Sequence, residues 1–171
     1  TDGFFNYEAV QVSDGAVAVF PLNNGADIYA QKIDFDGNNI WPSNILVSGT
    51  NPRYSPDGNF YNFRNVYSVA VSDGVIVGWE SNSDNKLYAQ KINTDGSLAW
   101  ISGGIKINSQ NTDGFGGIFA VSIDNGALFF WKSTFDNYLY ARYIDGSGNF
   151  PIAWVSQQIV NSTNQVHVNS N

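Results

Sequence analysis

The sequence predicts an all-β protein made of three repeats of a four-stranded antiparallel meander. A segment that reads ADIYAQKIDFDGNNIW around Tyr29 returns as NKLYAQKINTDGSLAW around Tyr88 and as NYLYARYIDGSGNFPIAW around Tyr140. The matching tyrosines lie 59 and then 52 residues apart, and a period of this size indicates a repeat architecture that fills the chain. Within each repeat, side chains alternate with a period of two, which is typical of strands. No helical pattern is present.

A second repeated segment precedes each tyrosine and predicts the first two strands of each unit. It reads AVQVSDGAVAVF up to Phe20, SVAVSDGVIVGW up to Trp79 and AVSIDNGALFFW up to Trp131. The pair in the middle of each segment is Asp14-Gly15, Asp73-Gly74 or Asn125-Gly126. Asp-Gly and Asn-Gly favour type I′ hairpin turns, because both central residues need positive φ.

The remaining strands complete each meander. In the second unit we expect strands at Val66–Val71, Val75–Trp79 and Lys86–Asn93, with a weaker one near Gly104–Asn108. The third and fourth strands of the units are joined at Asp36-Gly37, Asp95-Gly96 and 146–148. The unit boundaries predicted in this way are 1–57, 58–113 and 114–163. A strand-like tail follows at 164–171, and we expect 165–169 to pair with a neighbouring copy or with the first unit.

Composition excludes several classes of function. The chain of 171 residues has a net charge of -7 and only eight Lys plus Arg, so we expect no nucleic-acid partner and no anionic membrane partner. It has no cysteine and no apolar run long enough for membrane insertion. The Asn-rich, sparsely charged surface predicts an extracellular or cell-surface location. Since Met is absent, even at position 1, we expect a segment whose leader has been removed.

The pattern xIYAQKIDxDGxxxW, preceded by VSDGxxVxW, resembles the blade repeats of β-propeller-type secreted bacterial surface proteins. The resemblance covers all three units and implies β-propeller-like blades, but it says little about activity. Propellers close with four to eight blades, whereas this chain supplies three. The alternative is a β-trefoil, whose three four-stranded repeats close in one chain, although the sequence lacks the Gln-x-Trp signature of trefoils.

Recurrent aromatic residues are the candidates for ligand binding. Trp41, Trp100 and Trp154 match in the three units, as do Phe20, Trp79 and Trp131. Such residues either pack between sheets or form platforms on which a sugar ring stacks. Trp79 and Trp131 each end a strand beside a polar loop, which makes them the candidates for stacking. The polar candidates beside them are Glu80, Asn82, Asn85 and Asn137, whose side chains can bond sugar hydroxyls.

Catalytic and metal-binding groups are scarce. His167 is the single histidine and lies in the tail, and Glu8 and Glu80 are the two glutamates. The segments 34–37 and 93–96 resemble fragments of a calcium loop, and also the Asp box of sialidase propellers, but they fit plain hairpin turns. We expect no catalytic residue, no metal and no cofactor.

The function that fits these observations is a non-catalytic extracellular binding module for a carbohydrate or a cell-surface protein. An alternative is a self-assembling structural or filament subunit that completes its fold with neighbouring copies or with further repeats. A second alternative is a fragment of a glycosidase-type propeller, which would need two facing carboxyl groups in one cleft.

Overall fold

The structure is a computed structural model that describes residues 7–22, 27–49, 66–81, 84, 86–108, 118–133, 138–151, 158–160 and 166–167. Every regular element among these residues is a β-strand, which confirms the predicted all-β class. The described residues contain thirteen strands, which form three antiparallel sheets of four, four and five strands. Within the described ranges, no helix could cross a membrane.

Each sheet is a meander in chain order. The first two sheets lie within one predicted repeat each, and the third also includes β13 from the predicted tail. The first sheet contains β1 (Glu8–Val12), β2 (Gly15–Leu22), β3 (Asp27–Ile33) and β4 (Ile45–Leu46). The second sheet contains β5 (Tyr67–Val71), β6 (Gly74–Ser81), β7 (Lys86–Asn93) and β8 (Ile105–Lys106). The third sheet contains β9 (Ile118–Ile123), β10 (Gly126–Lys132), β11 (Leu139–Ile144), β12 (Gln158–Val160) and β13 (Val166–His167).

The tail forms a strand, but with a different partner from the one expected. Strand β13 pairs antiparallel with β12, with Val166 opposite Val160. The expected pairing with the first unit is therefore wrong for Val166 and His167, and the pairing with a neighbouring copy stays a prediction. A short connection brings β13 to the free edge of its own sheet, where loop closure costs less than it would for a distant edge.

The first hairpin of each unit turns one residue earlier than its Asp-Gly or Asn-Gly pair suggests. The pairs that close these turns are Val12 with Gly15, Val71 with Gly74, and Ile123 with Gly126. The glycine is thus the first residue of a strand, and Asp124 is the one described non-glycine residue with positive φ, at 51°. A Cβ on Gly15 would lie 2.0 Å from the Ile33 carbonyl oxygen. Glycine is needed here because two backbones approach closely, and the type I′ prediction is wrong for all three turns, since none has positive φ at both central residues.

Successive sheets pack face to face, always through the same pair of faces. We call the face of a sheet that contacts the following sheet its forward face, and the face that contacts the preceding sheet its backward face. At the first interface the forward face contributes Val17, Val19, Ile28 and Ala30, and the backward face contributes Val75, Val77, Trp79, Tyr88 and Ile92. At the second interface the forward face contributes Ile76, Leu87, Ala89 and Ile107, and the backward face contributes Ala127, Phe129, Trp131, Tyr140 and Ile144. All eight residues of β6 are buried, because the middle sheet is covered on both faces.

A tryptophan in each of the first two units forms a hydrogen bond to the following unit. The Trp41 Nε1–H donates to the Thr94 carbonyl oxygen at 3.1 Å, and the Trp100 Nε1–H donates to that of Gly146 at 3.3 Å. The Trp41 ring lies against Gly96, where an added Cβ would be 3.1 Å from the indole. Trp41 and Trp100 therefore occupy equivalent environments, as their matching positions predict. Trp154 lies outside the described residues.

Candidate functional site

A cleft of about 530 Å³ lies between the first and second sheets, at the end that carries the first hairpin turn of each unit. Its volume falls in the range of small-molecule sites, which is roughly 300 to 1,000 Å³. The lining residues come from both sheets. From the first sheet they are Gln11, Val12, Ser13, Asp14, Val17, Lys32 and Trp41, and from the second Ala70, Val71, Ser72, Gly74, Val75, Ile92, Asn93 and Thr94.

An ion pair forms the charged part of this cleft. The Lys32 ammonium lies 2.8 and 2.9 Å from the two carboxylate oxygens of Asp14. The Lys32 side chain is only 5% exposed, whereas that of Asp14 is 59% exposed. The hydrogen bond from Lys32 lowers the pKa of the Asp14 carboxyl, which keeps it ionised. The cleft therefore presents a fixed, solvent-accessible carboxylate over a buried cation.

The rest of the lining is apolar below and hydroxyl- or amide-bearing at the rim. Val12 and Ala70 supply partly exposed apolar surface above the buried Val17, Val75 and Ile92. Ser13, Ser72, Asn93 and Thr94 supply polar groups. Asp14 is the one carboxyl among the lining residues. This arrangement suits binding of a small amphipathic molecule and does not provide the pair of facing carboxyl groups that glycoside hydrolysis uses.

The equivalent place at the second interface is bridged by hydrogen bonds. Lys91, which matches Lys32, pairs with Asp73 at 2.8 Å and also donates to the Gly146 carbonyl oxygen at 3.1 Å. The backbone N–H and hydroxyl of Ser72 both donate to Asn125 Oδ1, at 3.0 and 2.8 Å. These bonds join the second and third sheets at the end where the first interface is open.

The structure places the predicted stacking residues in the core. Trp79 and Trp131 are 0% exposed, and each stacks on the tyrosine opposite it, with ring centroids 6.1 and 5.8 Å apart. A ring without exposed surface offers no face to a sugar, so the stacking role expected for these two residues does not fit the structure. Their alternative interpretation as packing between sheets does fit it.

Of the polar candidates beside these tryptophans, the structure describes Glu80. Glu80 is 4% exposed, near the end of β6, and so it is not open to a ligand. Asn82, Asn85 and Asn137 lie outside the described residues.

The segments that resemble calcium loops use their carboxylates to hold hairpin turns. Asp34 Oδ1 accepts the backbone N–H groups of Asp36 and Asn38 at 3.0 and 2.8 Å. Bonds from the Asn38 side chain and backbone lower the pKa of Asp34. Asp95 in the second unit accepts the Ser97 N–H and hydroxyl in the same way. Among the described residues, no group of three or more His, Cys, Asp or Glu side chains could hold a metal ion.

Sequence reasoning gave no role to Glu8, which the structure places at the first interface. It lies on β1 on the same side as Val10 and Val12, facing β5, and its Oε2 is buried without a hydrogen-bond partner. Burial raises the pKa of Glu8 to about 7, an effect that a bond from the Ser68 backbone partly offsets. The period-two alternation of β1 was the signal that could have placed this carboxyl on an interface.

Comparison of the chain with protein-family models, with curated proteins and with solved structures gives no match. The function is therefore inferred from the geometry of the cleft and of the interfaces.

Proposed function

We propose that this protein is a non-catalytic extracellular binding module that holds a short carbohydrate in the cleft between its first two sheets. The observation that carries the proposal is the open cleft at the first interface, where the same position of the second interface is bridged by Lys91 and Asn125. Two otherwise equivalent interfaces differ where a ligand would bind.

The chemistry of the lining favours a sugar over other small ligands. A pyranose has an apolar C–H face, which the partly exposed Val12 and Ala70 can cover, and a ring of hydroxyls that needs both donors and acceptors. The exposed Asp14 carboxylate accepts hydrogen bonds, and the Ser13 hydroxyl at the rim can donate or accept. A nucleotide or another polyanion would meet this carboxylate in a chain of net charge -7.

We further propose that the three sheets are propeller-type blades, related to the repeats of bacterial surface proteins that the sequence resembles. Two observations support this. Strand β1 lies beside β5, and β5 beside β9, as the innermost strands of blades do around an axis. The described strands of each unit pair with one another or, for β12, with the tail strand β13. This favours blades over a trefoil, since a trefoil pairs strands of different repeats around a shared barrel.

A matched pair of lysines tests the proposed site. The full chain is screened on a glycan array, and the best glycan is titrated by tryptophan fluorescence. We expect Lys32→Ala to weaken binding at least ~10-fold, because it removes the cation that fixes Asp14. Lys91→Ala changes the same repeat position at the bridged interface and should leave the affinity within about two-fold of wild type.

Thermal melting of both variants checks that they remain folded. The proposed site is contradicted if the two lysine variants lose affinity equally or if neither does. Absence of binding to any glycan on the array would contradict the proposed ligand class.

A further inference from the structure

One forward face and one backward face of the described sheets remain uncovered. On the forward face of the third sheet, Phe119, Val121 and Ile123 are 45%, 43% and 38% exposed. The equivalent of Val121 in the second sheet, Val69, is only 8% exposed. The Phe119 ring stacks on that of Phe130 at 4.5 Å, which makes a continuous apolar surface on this sheet. Exposed apolar surface of this kind marks an interaction site.

The backward face of the first sheet is the counterpart of this surface. Phe20 and Tyr29 lie opposite each other on β2 and β3 and are both partly exposed. Their equivalents in the second sheet, Trp79 and Tyr88, are 0% and 7% exposed because the first sheet covers them. The first sheet therefore lacks the cover that its repeat position receives elsewhere.

The two internal interfaces share a pairing of side-chain sizes. At the second interface Phe129 fills the space above Gly78, where an added Cβ would lie 2.2 Å from the ring. The equivalent residues at the first interface are Val77 and Val19, both buried in one cluster. One interface thus uses a large and a minimal side chain, and the other uses two of intermediate size. In close-packed protein interiors such pairs must fill a similar total volume.

The two uncovered faces carry the next pair in this series. The forward-face position of the third sheet, which matches Val19 and Gly78, is Phe130. The backward-face position of the first sheet, which matches Val77 and Phe129, is Ala18. A phenylalanine opposite an alanine resembles the Phe129–Gly78 pair, so these faces are complementary in size as well as equivalent in repeat position.

The tryptophan contact also has an unused counterpart on the first unit. Gly96 is buried beneath Trp41, and Gly148 lies against Trp100. The matching Gly37 turn is exposed, and an added Cβ there would have no neighbour within 4 Å. Phe35, two residues before Gly37, is 73% exposed. The Gly37 turn therefore leaves free the surface that the Gly96 and Gly148 turns use to contact a tryptophan.

We propose that the forward face of the third sheet binds the backward face of the first sheet of a second copy of this chain. The contact is heterologous and repeats the two internal interfaces. Two copies related by such contacts on both sides form a closed ring of six sheets, within the four to eight that propellers use. We expect a head-to-tail dimer as the product.

Two complementary variants test the contact in the full chain, by light scattering after gel filtration at about 100 µM, where a contact of micromolar strength is saturated. Phe130→Glu disables the forward face, and Ala18→Glu disables the backward face. Each variant alone should be a monomer, with the dissociation constant raised at least ~30-fold. An equimolar mixture should recover a dimer, because it retains one intact forward face and one intact backward face.

The outcomes separate this contact from its alternatives. A wild-type monomer overturns the proposal, and so does dimerisation of either variant alone at wild-type strength. Failure of the mixture to associate, with both variants folded by circular dichroism, also overturns it. Ile101→Glu, at a 71% exposed loop position away from both faces, is the control and should dimerise like wild type.

A third variant separates size complementarity from apolar adhesion. Ala18→Phe increases the apolar surface but overfills the space opposite Phe130. The proposed contact requires this variant to associate at least ~10-fold more weakly than wild type. Association equal to or tighter than wild type would overturn the pairing of Phe130 with Ala18.

Discussion

The two interfaces between sheets use the same faces and the same tryptophan contact, yet one encloses a cleft and the other is bridged. At the second interface Lys91 and Asn125 reach across to the neighbouring sheet, and Arg142 Nη1 donates to the Ile107 carbonyl oxygen at 2.6 Å. At the first interface Lys32 pairs with Asp14 of its own sheet. A few side chains therefore decide whether an interface of this repeat is a closed joint or a potential binding site.

The largest expected effect comes from removing the aromatic ring at the tighter interface. Phe129→Ala should destabilise the protein by about 3 to 5 kcal/mol, because it leaves a cavity above Gly78. Val77→Ala, the matching change at the first interface, should cost about 1.5 to 3 kcal/mol. Urea denaturation measures both free energies of unfolding, with slopes that should stay equal. Equal costs would show that the two interfaces do not differ in packing as described.

The side-chain pair of one interface can be transplanted into the other. Gly78→Val alone should cost at least about 1 to 3 kcal/mol, since it forces Phe129 out of its place. Adding Phe129→Val recreates the Val19–Val77 pair and should recover at least half of that loss. The single variant Phe129→Val is measured as well. If the destabilisation of the double variant equals the sum of those of the two single variants, the two positions do not share a space.

The first interface should depend on pH through Glu8. Its pKa is about 7 in the folded protein against an ordinary value of 4.5, so the folded state holds the proton more tightly than the unfolded state. The stability due to protonated Glu8 is complete below pH 4.5 and is lost as the pH rises to about 7.

Glu8→Gln should remove this dependence. The variant should be more stable than wild type at pH 8 by about 1 to 2 kcal/mol, a figure reduced for partial solvent access. The two proteins should converge near pH 4. Parallel stability curves over this pH range would contradict the assignment of the shift to Glu8.

The smallest expected difference lies between the two matched lysines. Lys91→Ala removes the ion pair with Asp73 and the bond to Gly146, whereas Lys32→Ala removes the ion pair with Asp14. We expect Lys91→Ala to cost about 0.5 to 1.5 kcal/mol more, the net value of one hydrogen bond. Urea denaturation of the two variants side by side measures the difference, and identical costs would show that the bridge adds nothing.

The strands could be predicted because their signals are local. Strand β7 begins at Lys86 and ends at Asn93, as predicted, since alternation and flanking turn residues define it. The position of the first hairpin turn was missed because Gly15 is required by a close contact with the Ile33 carbonyl oxygen, which belongs to another strand. Sequence pattern alone does not show whether a glycine serves φ or close approach.

The candidate site was less predictable because it depends on contacts between units. Trp79 ends a polar-flanked strand in the sequence, yet the preceding sheet covers it completely. Lys91 donates to the Gly146 carbonyl oxygen 55 residues away, whereas Lys32, at the same repeat position, pairs with Asp14 of its own sheet beside the cleft. Only the packed arrangement of the sheets distinguishes these two lysines.

The matched side-chain volumes at the two interfaces also fix the order in which the units can follow one another. If the second unit were deleted, Val19 of the first sheet would meet Phe129 of the third, and the shared space would be overfilled. An exchange of two units would create mismatches of the same kind. Gene duplication can lengthen an array of identical repeats freely. Here the size of one side chain on each face determines which repeat can pack next to which. The array is modular in its backbone and ordered in its side chains.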